Sequence, residues 1–287
     1  MKAYYRLKRV LKLGRLRLRR YQALRRWGRD ALQHSPRVFG NSMPKAGSHL
    51  LIQILWGLTE VGPFINPGFP PVNRFEDNSH LSNEVILKSI QRMRSGEIRF
   101  GYIGCNEPFI SALTNPDWAT INIYRDPRDL LVSSIFYALN IHLEHGMHKY
   151  YAEELSTMEE RLNVEINGIH KPNLVFSGIR ARYDNHLSWI ENSHVLSLKF
   201  EDIILNTGET LGRLADYITG FGVQFPMPRT EVIQTLTNAI RPKESGTFRK
   251  GQPGNWREHF TDENKEQFKA AAGDLLIKLG YEENNDW

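Results

Sequence analysis

A short strand-like run that breaks into a loop and restarts as an apolar helix is the feature that most restricts how this chain folds. "RVFGNS" (37–42) is followed by "MPKAG" and then by "SHLLIQILWGLTEV" (48–61). That second stretch is apolar on most of its surface, so other elements must cover it on several sides. The pattern recurs. "EIRFGYIG" (97–104) and "WATINIY" (118–124) read as strands, and the second runs directly into "RDPRDLLVSSIFYALN", the opening of a helix. "HVLSLKFEDII" (194–204) reads as a further apolar strand with an acidic end, and "EVILKSIQRMRSG" (84–96) as an amphipathic helix ended by Gly96. "TGETLGRLADYITGFG" and "TDENKEQFKAAAGDLLIKLGY" are helical in pattern. Strands alternating with helices predict an α/β fold with a parallel sheet and helices on both faces. Residues 62–80, rich in Pro, Gly and Asn, predict an irregular loop.

With 287 residues, 40% of them apolar and 24% charged, the chain is able to bury a sizeable core. Its one cysteine, Cys105, excludes an internal disulfide framework and points to a reducing, cytoplasmic setting. No run of about 18 apolar residues suggests a membrane-spanning helix. Charge divides the chain unevenly. Residues 1–30 hold twelve Lys/Arg against a single acid, Asp30, and carry +11; the whole chain carries +5, so the remainder carries −6. We therefore expect a basic amphipathic tail over 1–35 and an α/β domain over 36–287. At helical pitch Leu7, Leu11, Leu18 and Tyr21 share one side of the tail. Lys8, Lys12, Arg15, Arg19 and Arg26 lie mostly on another, while Leu13, Leu16 and Trp27 fall outside the apolar stripe. Such a helix suits an anionic membrane surface, each nearby cation adding roughly 1 kcal/mol. A solvated basic arm is the bland alternative. The acidic body offers no groove to continue a nucleic-acid contact.

Three loops have the chemistry of anion sites. At the first strand–helix junction, Gly47 lets the chain curl, Ser48 and His49 bring backbone N–H groups, and Lys45 brings a full positive charge. The letter order differs from the usual nucleotide-binding loop, in which Gly precedes Lys. The bland reading is an ordinary turn with a surface lysine. In "IYRDPRDLLVSS" (123–134), Arg125 ends a strand and Ser133 follows eight residues later, a spacing from which both reach one phosphate. Helix capping by Asp126 or Asp129, with Arg128 in a surface pair, explains the same letters. In "TFRKGQPGNW" (247–256), Arg249, Lys250 and Gly251 sit in a Gly/Pro-rich loop ending at Trp256. Together the three suggest a ligand with two separate phosphates.

These stretches resemble the signatures of the PAPS-dependent sulfotransferases, over about residues 37–281. The first signature, roughly P-K-[ST]-G-[ST]-T-W, stands here as Pro44-Lys45-Ala46-Gly47-Ser48-His49-Leu50. Arg125 and Ser133 match the second. Arg249-Lys250-Gly251, Gly254-Asn255-Trp256 and Phe260-Thr261 match the third, which is the most specific. The resemblance implies a three-layer P-loop-like α/β domain with a central parallel sheet. It also implies PAPS (3′-phosphoadenosine 5′-phosphosulfate) as donor, PAP as product, and no metal. Lys45, Ala46, Gly47, Ser48 and His49 would hold the 5′-phosphosulfate end. Arg125, Ser133, Arg249, Lys250 and Gly251 would hold the 3′-phosphate, and Phe200, in "KFED", would lie beside the adenosine. An acceptor hydroxyl or amine on a small molecule, lipid or glycan would attack sulfur in line, with Lys45 stabilising the leaving 5′-phosphate oxygen.

The resemblance departs at the general base. Where cytosolic members have a histidine, this chain has Tyr102 in "FGYIGCNEPF" (100–109); a phenol with a pKa near 10 is a poor base. Glu107 and His49 are the other candidates, and Tyr102 as a packed aromatic on the acceptor side is the bland reading. Leu50 replaces the family's tryptophan. His142, His145 and His148 recur every third residue but drift around a helix, which argues against a metal. A P-loop-type kinase and a non-catalytic PAP-binding protein at a membrane are the alternative readings.

Overall fold

The computed structural model describes residues 2–66, 71–75, 79–244 and 251–287; the side chains of 2–9, 12, 13 and 243 stand outside that description, Leu7 and Leu13 among them. A 26-residue helix, α1 (Lys2–Trp27), and the short α2 (Arg29–Gln33) precede β1 (Arg37–Ser42). Then come α3 (Ser48–Val61), α4 (Asn83–Gln91), β2 (Ile98–Gly101), α5 (Phe109–Leu113) and β3 (Trp118–Tyr124). Helix α6 (Pro127–Asn140), a π-turn at Tyr150–Glu154, α7 (Met158–Asn167), β4 (Gly168–Lys171), β5 (Leu174–Ser177) and α8 (Ile179–Glu191) follow. The last elements are β6 (Val195–Lys199), α9 (Phe200–Leu205), α10 (Thr207–Thr219), α11 (Arg229–Ala239), 3₁₀ turns at Pro242–Glu244 and Asn255–Glu258, α12 (Asp262–Ala272) and α13 (Leu275–Lys278).

Contacts group these elements into two units, Met1–Ile123 with Trp189–Pro242, and Tyr124–Ser188 with Lys243–Trp287. The first is built on a parallel four-stranded sheet in the order β2-β1-β3-β6. Successive residues of β1 face opposite sides. Val38 joins a core with Leu51, Ile54 and Leu58 of α3 and residues of α10 and α11, while Phe39 joins a second core with Ile86 and Ile90 of α4, Phe109 and Trp189. Helices thus cover both faces, the layered α/β arrangement that the alternation predicts. All seven residues of β3 are buried, including Thr120 and Asn122, as expected of a strand covered on both faces.

Local differences from the sequence reading have physical causes. α4 ends at Gln91 rather than running to Gly96, because Met93 turns inward and is buried in the second core. Gly96, at φ 73°, serves instead the turn into β2, its N–H donating to Pro36 O. The strand read over 194–204 stops at Lys199. "FEDIIL" is helical, with Glu201 and Asp202 in the first turn, where a helix dipole favours carboxylates.

Helix α1 explains its own irregular pattern, for it has two apolar sides. Ala23 is buried with Leu32 and Ile65, and Trp27 packs against them. Arg20 Nε donates to the buried Glu97 carboxylate at 2.8 Å, and Arg26 donates to Glu60 through both its terminal nitrogens. Leu16 and Trp27, which fell outside the expected stripe, lie on this inner side. Val10, Leu11, Leu18 and Tyr21 are 64%, 55%, 56% and 57% exposed.

The second unit is organised around buried ionic groups. Glu165 is fully buried, accepting from Tyr151 Oη at 2.8 Å and pairing with Arg182 Nη2 at 2.9 Å. Burial first, and the Glu165 carboxylate second, push the Tyr151 phenol well above its ordinary range. β4 and β5 form an antiparallel hairpin after α7. Thr261 caps α12 in a reciprocal box with Asn264, so the Phe260-Thr261 pair of the third signature serves the helix start.

Candidate functional site

In the first unit the chain must turn sharply to pass from β1 into α3. Lys45 takes φ 68°, the one non-glycine with positive φ among the described residues, and Gly47 takes φ 102°. Left-handed backbone costs an ordinary residue roughly 1 kcal/mol, and such strain persists only where its surroundings enforce it. Here they do. Ala46, wholly buried, donates its N–H to Met43 O, and Met43 is buried too. A Cβ on Gly47 would come within 2.7 Å of Phe200 Cδ2 and 3.1 Å of Ile123 Cδ1, so only glycine fits. The first i→i−4 bond of α3 is Leu51 N–H to Gly47 O. The N–H groups of Ser48, His49 and Leu50 therefore lie at the positive end of the helix dipole, and the Lys45 charge acts on the His49 ring. Phe200 is buried against this turn, with its ring on Gly47.

Tyr102 joins the same turn. Its hydroxyl donates to Ser48 Oγ at 3.1 Å, and its backbone N–H donates to Asn73 Oδ1 at 3.2 Å. The next residue is pinned harder. Asn41, fully buried in β1, accepts from Ile103 N–H at 2.9 Å and donates to Ile103 O at 3.0 Å, and Trp189 Nε1 donates to the same carbonyl at 2.9 Å. Asn41 was passed over in the sequence, although an amide inside an apolar strand demands partners and is itself a signal. Glu107 lies on the surface and accepts from Ser111 Oγ at 2.8 and 2.7 Å. The His49 imidazole is held below its ordinary value, first by partial desolvation and then by the Lys45 charge, both of which favour its neutral form.

The second unit carries the other signatures. Asp126 caps α6, accepting from Arg128 N–H at 2.9 Å. Arg128 does not form the surface pair that the capping reading supposed. It is 2% exposed and donates to Asp126 and Glu282, with its guanidinium 4.0 Å from the ring centre of Trp256 and 4.6 Å from that of Trp287. Asp129 is equally deep. Its two oxygens accept from Gly254 N–H and Trp256 N–H, each at 2.8 Å, and Arg125 Nη2 stands 3.7 Å away. Burial, the largest influence, pushes this carboxyl up despite Arg125 and the two N–H donors. A single carboxylate thus fastens the end of the third signature to the helix of the second. Gly251 takes φ 63° and Ser133 is half-buried on α6. Arg249 and Lys250 lie outside the described residues. Sequence reasoning saw Asp129 only as a helix-capping residue, because its burial depends on a loop more than a hundred residues away.

The three histidines serve local packing. His142 stacks on Tyr137 at 5.6 Å, His145 Nδ1 accepts from Met147 N–H, and His148 Nδ1 lies 2.8 Å from Ala138 O. Among the described residues no group of His, Cys, Asp or Glu side chains is arranged to hold a metal ion.

A family model described as "Sulfotransferase domain" matches residues 35–280. No curated protein matches the chain. Among solved structures, the mouse sulfotransferase SULT7A1 complexed with PAP is similar at 16% identity and a TM-score of 0.57, over 88% of this chain and 91% of that one. A retinol dehydratase, solved with androsterone and PAP and again with retinol and PAP, is similar at 15% identity and a TM-score of 0.51, over 85% of this chain and 83% of that one. At such identities these likenesses establish the fold.

Proposed function

The chain belongs to the sulfotransferase domain family, and from that premise we propose that it moves a sulfuryl group from PAPS to a hydroxyl or amine of a small-molecule, lipid or glycan acceptor. The reading is supported above all by the Lys45–Gly47 turn, where strained backbone, a helix N-terminus and a cation share one loop. In this reading Lys45, Ala46, Gly47, Ser48 and His49 take the 5′-phosphosulfate. Arg125, Ser133, Arg249, Lys250 and Gly251 take the 3′-phosphate, which distinguishes the donor from other adenine nucleotides. PAP bound to the mouse enzyme and to retinol dehydratase supports that choice of donor, and the androsterone and retinol complexes support a small organic acceptor.

The acceptor's lone pair forms the new bond to sulfur as the bond to the 5′-phosphate oxygen breaks, and PAP leaves with that electron pair. Negative charge grows on the leaving oxygen, so the Lys45 ammonium stabilises the transition state more than the ground state. The acceptor's proton goes to a base. His49, kept neutral beside the turn, has the right protonation state for it. Tyr102, whose proton is committed to Ser48, lines the acceptor side and orients the serine. Glu107 is the third candidate. Transfer of labelled sulfate from PAPS is the test. Lys45→Ala should lower kcat by about 100-fold or more, His49→Gln should follow it, and Tyr102→Phe should stay within about tenfold. Unchanged turnover in Lys45→Ala would overturn the mechanism, and a loss in Tyr102→Phe or Glu107→Gln matching that of Lys45→Ala would reassign the base. We also infer that the basic segment 1–30 holds the enzyme against the cytoplasmic face of an anionic membrane.

A further inference from the structure

Helix α1 is anchored by one side, and the opposite side is what it offers outward. At about 100° per residue, Ala23, Trp27, Leu16 and Arg20 fall within one arc, and Val10, Leu11, Leu18 and Tyr21 fall within another almost diametrically opposed. The first arc is used: Ala23 and Trp27 pack on Leu32 and Ile65, and Arg20 binds the buried Glu97. The second is open, each of its four side chains being more than half exposed. Arg15 and Arg17, both exposed, border this open stripe on its two sides, and Arg25 closes its C-terminal end with its guanidinium 5.9 Å from the Tyr21 ring centre.

We propose that the Val10–Leu11–Leu18–Tyr21 stripe of α1 is the surface that enters an anionic lipid bilayer. The helix lies flat and the Arg20–Glu97 side stays attached to the first unit. This names the contact for the membrane association inferred above and rests on it. The charge argument selects the partner. A strip of apolar side chains between arginines matches the boundary between acyl chains and anionic headgroups, where each apolar side chain gains by leaving water and each arginine meets a phosphate. A purely electrostatic partner would leave the apolar strip without a role. The anchored side fixes which way the stripe points, so the moderate amphipathicity of the sequence resolves into two distinct faces.

The experiment is flotation of the full chain with vesicles of phosphatidylcholine alone or mixed with phosphatidylserine, together with sedimentation velocity of the free protein. The intact chain should float with the anionic vesicles only. Leu18→Glu combined with Tyr21→Glu should weaken that binding by about tenfold or more, with an unchanged thermal midpoint because both positions are exposed. Arg15→Gln with Arg17→Gln should weaken it less and flatten its salt dependence. If the intact chain fails to float, the membrane reading itself falls. If it floats and the Leu18→Glu/Tyr21→Glu variant floats equally, the stripe is not the contact and this inference is overturned. A dimer in sedimentation that the same variant dissociates would overturn it in favour of a second copy as the occupant.

Discussion

The two regions proposed above to hold the donor are built by different physics. In the first unit the Lys45–Ser48 turn is shaped by backbone. Two residues sit at positive φ, a glycine lies against an aromatic ring, and helix N–H groups do the pointing. In the second unit the corresponding region is shaped by buried charge, with Asp129 holding two backbone N–H groups and Arg128 held between carboxylates and tryptophans. Backbone-built geometry tolerates changes of pH and fails when one side chain is added. Charge-built geometry accepts small changes of shape and fails when a proton is gained or an acceptor is lost.

The largest test of that contrast is Gly47→Val. It forces a β-branched residue into left-handed backbone and against Phe200, for a cost of about 2–4 kcal/mol and loss of measurable PAP binding by calorimetry. A variant that binds PAP normally would show that the turn adapts. The next is pH. His186, in the second unit, is only 9% exposed, and burial lowers its pKa to about 4. A folded pKa below the unfolded value of about 6.5 means that its contribution is complete above pH 6.5 and is lost as pH falls toward 4. Denaturant titrations over that window should show stability falling by up to roughly 3 kcal/mol, with His186→Phe flattening the fall; an unchanged slope would remove His186 as its source. The smallest is Asp129→Asn. An amide accepts from only one of the Gly254 and Trp256 N–H groups and turns a donor toward the other, a cost of about 1–3 kcal/mol. If Asp129 positions the 3′-phosphate region, the preference for PAP over AMP should shrink about tenfold while AMP affinity holds. Equal losses for both nucleotides would make it a general structural residue.

Much of the first region was legible in the sequence, because backbone requirements leave marks on neighbouring letters. Gly47, the lysine and the helix start fall within four residues, and β1, α3 and β3 have the expected bounds, while α6 starts at Pro127, two residues into the stretch read as its opening. The second region was legible only as motifs. That Asp129 reaches Gly254, or that Arg128 is enclosed rather than exposed, depends on packing between segments far apart in sequence. The β4–β5 hairpin escaped notice because its residues are only half-buried or exposed and carry no strong apolar signal. α1 was half legible. Its outer stripe was visible, and its inner side became intelligible only once Glu97 and Ile65 were seen to meet it.

The left-handed conformation of Lys45 has a consequence for durability. Glycine or asparagine would sit there more comfortably, so a chain selected only to persist would give up the ammonium and gain stability. With the role proposed for Lys45, a cation kept in a backbone conformation that resists it sets turnover against longevity. Thermostabilising screens that ignore activity should drift toward a sturdier and chemically silent protein through this residue.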